Sequence, residues 1–312
     1  MENSSMVKAD AMMDTVENIV KKHFGCSADE IRKIENATNN FVYSFTAAGE
    51  SFFLKLYRNK DWPETGKIPF VYRNLLQKSI PCAQQIAYNR DNEVYPNGYL
   101  IEREIQGTAA DKIQLSREEE IRLYAQMAEL VSSVHDIRIH RVGYIDSGIA
   151  DCDRFTDFLE DEFDGLGSRL KDAVSETQLK TLKEKVLDII HDYEDLPSVL
   201  CHGDLSTKNV IIRNDGEISL IDWDDAMALN WMADVSRLTF WMKQNYSEQE
   251  YILCRDIFLE HYRTIYRKDQ FDTFENAYHI YVALDFLAFS IKVGNQEMES
   301  RLKNYLDSFS MR

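Results

Sequence analysis

The stretch Cys201-His202-Gly203-Asp204-Leu205-Ser206-Thr207-Lys208-Asn209-Val210-Ile211-Ile212-Arg213-Asn214-Asp215-Gly216-Glu217-Ile218-Ser219-Leu220-Ile221-Asp222-Trp223 decides how the rest of the chain is read. Val210–Arg213 and Ile218–Ile221 are apolar runs of strand length, and Asn214-Asp215-Gly216 between them is a strong hairpin signal. The strands therefore run antiparallel. Asn209 opens the first and Asp222 closes the second, so both belong to the hairpin's open end. Neighbouring strands lie about 5 Å apart, and an amide oxygen and a carboxylate at that spacing can share one hard cation. Asp204, five residues before Asn209 in a polar loop, can reach the same place. Singly, each residue has a plainer role, as turn former, cap or satisfied core histidine. It is the combination that points to chemistry.

Phosphoryl transfer needs this set of groups. Magnesium bridges and neutralises the polyanionic γ-phosphate, and a carboxylate orients the attacking hydroxyl and accepts its proton. The spacing from His202 through Asp204 to Asn209 matches the kinase catalytic-loop pattern, with Gly203 in place of arginine. Lys55 is a second anchor. It lies inside the strand-like Ser51-Phe52-Phe53-Leu54-Lys55-Leu56-Tyr57, where a buried ammonium needs an anionic partner; the alternative is an edge lysine that snorkels to water. The turn Asn36-Ala37-Thr38-Asn39-Asn40 offers backbone N–H groups and short polar side chains for phosphates, though it has no glycine. Gly165-Leu166-Gly167 does not follow a strand, and GxxxxGK[ST] is absent, which excludes the dinucleotide fingerprint and the P-loop design.

Working outward, the 15–24 segment predicts an amphipathic helix with Val16, Ile19, Val20 and Phe24 on one side. Strands follow at Ile31–Ile34, Phe41–Ala47 and Ser51–Tyr57, then a helix within 64–78 and strands at 83–88 and 98–105. From about residue 108 the pattern is helical, with 210–222 as its one β segment. Ser116 with Glu119 and Ser247 with Glu250 form capping boxes, and 176–194 and 271–293 continue the helical theme.

The 312 residues suffice for two lobes, and 53 acids against 36 bases give a net charge of −17. That balance argues against nucleic acid and suits a cationic ligand, although solubility alone also explains it. Cys26, Cys82, Cys152, Cys201 and Cys254 form no CxxC pair and read as reduced thiols of a cytoplasmic protein. Met1 to Asp14 has no apolar signal core, and Ile280–Val293 is broken by Asp285 and Lys292, so no membrane segment is expected.

The HGDxxxxN loop followed by Ile221-Asp222-Trp223 resembles the aminoglycoside phosphotransferase and choline kinase superfamily, over about Asn36 to Asn304. Ile221-Asp222-Trp223-Asp224-Asp225-Ala226-Met227 and the late Ala283-Leu284-Asp285-Phe286 look most like its hygromycin B phosphotransferase subgroup. The resemblance implies an α+β, protein-kinase-like, two-lobed fold. Residues 1–102 would be a small antiparallel-sheet nucleotide lobe, 103–107 a hinge and 108–312 a helical lobe for catalysis and substrate. Asp204 would be the catalytic base, Asn209 and Asp222 the Mg2+ ligands, and Lys55 the lysine on the α- and β-phosphates of ATP or GTP. Thr38, Asn39 and Asn40 would cover the phosphates, the backbone near Arg103 and Ile105 would bind the base, and Asp234 would brace the catalytic loop.

The family's small-lobe helix usually pairs a glutamate with the lysine. That position falls near Ile68-Pro69, which leaves Glu64, one turn earlier, as the substitute. The activity implied is transfer of a γ-phosphate to a small-molecule hydroxyl, that of an aminoglycoside antibiotic first. Asp224, Asp225, Asp285 and the acids of 157–164 are candidate contacts to such a cationic substrate. Choline or another amino-alcohol or sugar is the alternative, with Trp223, Trp231, Trp241 and Tyr246 as a possible cage. A nucleotide-binding scaffold without turnover is the rival from another class.

Overall fold

The computed structural model describes residues 2–310 apart from 36, 38, 92 and 264–267, with the backbone alone for 2–11, 268 and 310. Its contacts divide the chain into two units. One is Met1–Ile113 with Val210–Asp224, and the other is Gln114–Asn209 with Asp225–Arg312.

The first unit opens with α1 (Glu2–Phe24), whose Val16, Ile19 and Val20 are fully buried on one face, as their helical spacing predicts. Then come β1 (Asp29–Ile34), β2 (Phe41–Ala47), β3 (Glu50–Leu56), α2 (Lys67–Gln77), β4 (Gln85–Asn89) and β5 (Tyr99–Arg103). The strands form an antiparallel sheet in the order β1-β2-β3-β5-β4. Side chains alternate across a strand. Tyr43, Phe45 and Ala47 of β2 and Phe52, Leu54 and Leu56 of β3 therefore share one core with α1. Lys55, in register between Val42 and Leu100, belongs to the opposite phase.

After residues 103–107 the chain forms β6 (Gly107–Ala109), outside that sheet. The second unit then supplies α3 (Arg117–His135), β7 (Val142–Asp146), β8 (Ile149–Cys152), α4 (Phe155–Leu170), α5 (Glu176–Ile190) and β9 (Val199–Cys201). The hairpin β10 (Val210–Arg213) and β11 (Ile218–Leu220) belongs to the first unit, with Val210 opposite Leu220 and β6 on its other side. A Cβ on Gly107 would lie 2.3 Å from the Ile212 carbonyl oxygen, so only glycine permits this approach of β6 to β10. The second unit ends with β12 (Met227–Leu229), α6 (Trp231–Asn245), α7 (Glu248–His261), α8 (Lys268–Val293) and α9 (Gln296–Ser310).

The helical half was expected to hold one β segment, and this is corrected by a further sheet, β8-β7-β12-β9. Each of its strands has three to five residues, too few for alternation to register, and β9 and β12 are buried throughout. No described helix is long and apolar enough to cross a membrane.

Both capping boxes form as expected. On α3 the Ser116 amide donates to Glu119 Oε2 at 2.8 Å, and Ser116 Oγ accepts from the Glu119 amide. Ser116→Ala should lower the free energy of unfolding by about 1 kcal/mol. An unchanged urea midpoint would show that this cap contributes nothing.

Candidate active site

In the first unit, β3 carries Lys55 into an apolar setting that leaves it 8% exposed. Its ammonium donates to Asp222 Oδ1 at 2.7 Å and to Asp224 Oδ2 at 2.9 Å. Burial opposes the charge, but the two carboxylates outweigh it and hold the Lys55 pKa well above its ordinary value. Glu102 on β5 is also close. Burial raises its pKa, Lys55 partly offsets that rise, and Tyr72 donates its hydroxyl hydrogen to it. Asp222 takes φ +65°, a left-handed backbone that few residues other than glycine adopt, and its side chain stays half exposed. Such conformations cluster at functional sites.

Two expectations are corrected here. Asp224 does not project to solvent as a substrate contact. It is 5% exposed and also accepts from Asn40 Nδ2 at 3.1 Å and Tyr57 Oη at 3.4 Å. Glu64 does not pair with Lys55. It precedes the first turn of α2 and meets Lys67 at 2.6 Å. Asn40 is turned inward to Asp224 and accepts from the Arg58 amide at 3.3 Å, Asn39 is exposed, and Thr38 lies outside the described residues.

A cavity of about 230 Å³ in this unit is lined by Pro81, Gln84, Arg103, Ile105, Arg213 and Ser219, among others. The Arg103 amide donates to the Gln84 carbonyl at 2.9 Å and its side chain to Gln84 Oε1 at 2.9 Å. The Ile105 backbone has no hydrogen-bond partner among the described residues.

The second unit holds the loop from His202 to Asn209. Asp234 on α6 accepts from the amides of His202 at 2.8 Å and Gly203 at 3.0 Å, with His135 Nε2 at 3.1 Å from the same carboxylate. Tyr262 Oη in turn lies 2.5 Å from His135 Nδ1. Burial alone would raise the Asp234 pKa, but the bond from His135 and the neighbouring His202 keep it below the ordinary carboxylate value. His135, Cys201 and Asp234 bring their donor atoms within 4.8 Å of one another. Burial pushes the Cys201 thiol well up, however, and it lies 3.7 Å from the Leu229 and Asn230 carbonyls as a donor.

Gly203 has φ +79°, and a Cβ there would sit 1.8 Å from the Asp225 carbonyl oxygen. This explains why the loop has glycine where the kinase pattern has arginine. Beyond it, Asn209 Nδ2 donates to the Asp204 carbonyl at 2.8 Å and to its Oδ2 at 3.0 Å, and Lys208 pairs with Asp204 Oδ2 at 2.9 Å.

Of the remaining candidates, Asp225 is half-buried. Asp285 on α8 is shared between Arg237 at 3.5 Å and Arg169 at 3.7 Å. Arg237, which the sequence reading missed, is buried. Burial works against its charge, while Asp285, the nearby phenols and Asp204 drive its pKa higher still. Among the acids of 157–164, Asp157 and Asp164 pair with Arg154 and Lys183, whereas Glu162 accepts from Tyr144 Oη at 2.6 Å and Tyr281 Oη at 2.9 Å. The aromatic-cage expectation is not supported by the proposed rings. Trp231 stacks on Tyr262 and Phe271, Trp241 packs on Phe286, Tyr246 bonds Tyr124, and Trp223 is buried.

A family model described as the phosphotransferase enzyme family matches residues 30–271, well over half of the chain. The chain belongs to that family. The phosphotransferase is 21% identical over 240 residues to the hygromycin-B 4-O-kinase of Escherichia coli, covering 76% of this chain and 69% of that one. Its structure resembles the aminoglycoside phosphotransferase APH(4)-Ia, solved as a thermostable mutant with ADP and hygromycin B. The TM-score is 0.71 at 21% identity over 94% of this chain and 97% of that one. The choline kinase LicA from Streptococcus pneumoniae gives a TM-score of 0.68 at 14% identity, over 96% and 99%. These likenesses show the α+β fold expected from the loop.

Asp234→Asn should destabilise the phosphotransferase by about 1–3 kcal/mol, since it weakens two buried backbone bonds and the pairing with His135. A carboxylate whose pKa is lowered on folding stabilises above its unfolded pKa, and that contribution is lost as pH falls through the folded value. The stability gap between wild type and variant should therefore be full above about pH 5 and shrink below the ordinary aspartate value of about 3.9. A gap in denaturation free energy that stays constant across this range would contradict the bracing role.

Proposed function

We propose that this protein transfers the γ-phosphate of ATP to a hydroxyl group of a small cationic molecule of the aminoglycoside type. One observation carries the reading: the Asp204 carboxylate is fixed by Asn209 on a loop whose amides are held by buried Asp234. A carboxylate so oriented can align a hydroxyl and take its proton. Family membership supports the reaction class. The nucleotide follows the solved APH(4)-Ia structures, which hold ADP or AMP-PNP with hygromycin B.

In this reading Lys55 grips the α- and β-phosphates, and the 230 Å³ cavity with the Ile105 backbone receives the base. Asn209 and Asp222 would hold Mg2+. Each donor by itself suits a hard cation: the amide nitrogen of Asn209 faces Asp204 and leaves its oxygen as ligand, and Asp222 offers a carboxylate oxygen. Magnesium, when bound, supplies neutralisation of the phosphate charge. Glu162, held by two tyrosine hydroxyls, and Asp285, shared between Arg237 and Arg169, would be the second-unit acids to meet substrate ammonium groups.

The test is transfer of label from γ-labelled ATP across a panel of aminoglycosides including hygromycin B, choline, ethanolamine and sugar alcohols. Label should appear on an aminoglycoside. Asp204→Ala should cut turnover by about a hundred- to ten-thousand-fold while nucleotide affinity is kept. Near-wild-type turnover in that variant would contradict the assignment of Asp204. Label on choline alone would overturn the substrate class, and nucleotide binding with no labelled acceptor would favour a scaffold.

A further inference from the structure

The sequence resemblance sets the expectation of a small-lobe helix glutamate beside Lys55. In this chain α2 reads Lys-Ile-Pro-Phe-Val-Tyr-Arg-Asn-Leu-Leu-Gln and contains no acid at all. At its start it brings a cation, Lys67, which is fully buried. The Lys67 ammonium lies 3.6 Å from the Trp62 ring centroid, pairs with Glu64 at 2.6 Å and donates to the backbone carbonyl of Asp224 at 3.2 Å. The two carboxylates that hold Lys55 both come from one short turn, Asp222-Trp223-Asp224.

These two carboxylates differ. The Asp222 side chain is 48% exposed and is a metal ligand only in the function proposed above; that of Asp224 is 7% exposed and is also fixed by Asn40 and Tyr57. If Asp222 were to ligate a divalent cation, Asp224 would be the carboxylate still bonded directly to the buried ammonium, with Glu102, itself bonded by Tyr72, near but not bonded to it. We propose that Asp224 is the standing counter-ion of Lys55, replacing the missing helix glutamate, and that Lys67 clamps the turn that carries it. The charge relation between helix and lysine is thereby inverted: α2 supplies a cation to the turn, and the turn supplies the anion to Lys55. Asp224 and Lys67 are positioning residues, acting on nucleotide through Lys55. The inference rests on the reading of Lys55 as the nucleotide-phosphate lysine.

The test is affinity for Mg2+·AMP-PNP by calorimetry in wild type, Lys55→Met, Asp224→Asn, the double variant, Asp224→Glu and Lys67→Met, with thermal unfolding to show that each is folded. Lys55→Met and Asp224→Asn should each weaken binding about tenfold or more. The double variant should be no weaker than Lys55→Met within about twofold, because residues acting through one contact are not additive. Asp224→Glu should recover most of the affinity, and Lys67→Met should weaken it about threefold or more.

Wild-type affinity in Asp224→Asn, or an equal loss from it in the Lys55→Met background, would overturn the proposal. Wild-type affinity in Lys67→Met would overturn the clamp. If Lys55→Met itself binds like wild type, the nucleotide reading of Lys55 fails first, and the proposal falls with it. Should Asp224→Asn not fold, Asp224→Glu and Lys67→Met decide by the same criteria.

Discussion

An ammonium removed from water must be matched by carboxylates, and the first unit is arranged around meeting that requirement for Lys55. The period-two pattern of β3 places Leu54 and Leu56 in the core with α1 and so commits Lys55 to the other face. The hairpin β10–β11 returns the chain to the turn that supplies both acids. The strained backbone of Asp222, the inward Asn40 and the buried Lys67 all concern the geometry of that turn. Replacing Lys55 would therefore leave Asp224 buried without its main partner, so the substitution should also lower stability.

The second unit applies the same rule to its loop. A single buried carboxylate, Asp234, holds two consecutive amides and is itself kept ionised by His135. Only a glycine can stand at 203, because the Asp225 carbonyl occupies the space of a side chain. What the loop then presents is Asp204, with Asn209 and Lys208 on its carboxylate. A rigid frame placing one carboxylate suits a reaction in which most of the rate enhancement comes from positioning.

The parts legible in the sequence were those written in local signals. The Asn214-Asp215-Gly216 turn, the alternation of β2 and β3, and the Ser-x-x-Glu boxes of α3 and α7 each lie within a few residues. Strands β7, β8, β9 and β12 are too short to show a period, and their pairing joins segments far apart in the chain. The same distance hid the roles of single residues. Asp224 looked like a surface acid because the lysine that buries it is 169 positions away. Lys67 looked like an ordinary start to a helix, and nothing local marks the Arg103 amide as already bonded to Gln84. Glu64 was assigned by counting along a helix whose true first turn begins only at Lys67.

The most direct test of this account is a crystal structure with Mg2+ and AMP-PNP bound. Asp222 should be found on the metal, with Lys55 still paired to Asp224 and now also on the nucleotide phosphates. Lys55 turned away from the phosphates, or paired with Glu64 while Asp224 is released, would contradict it.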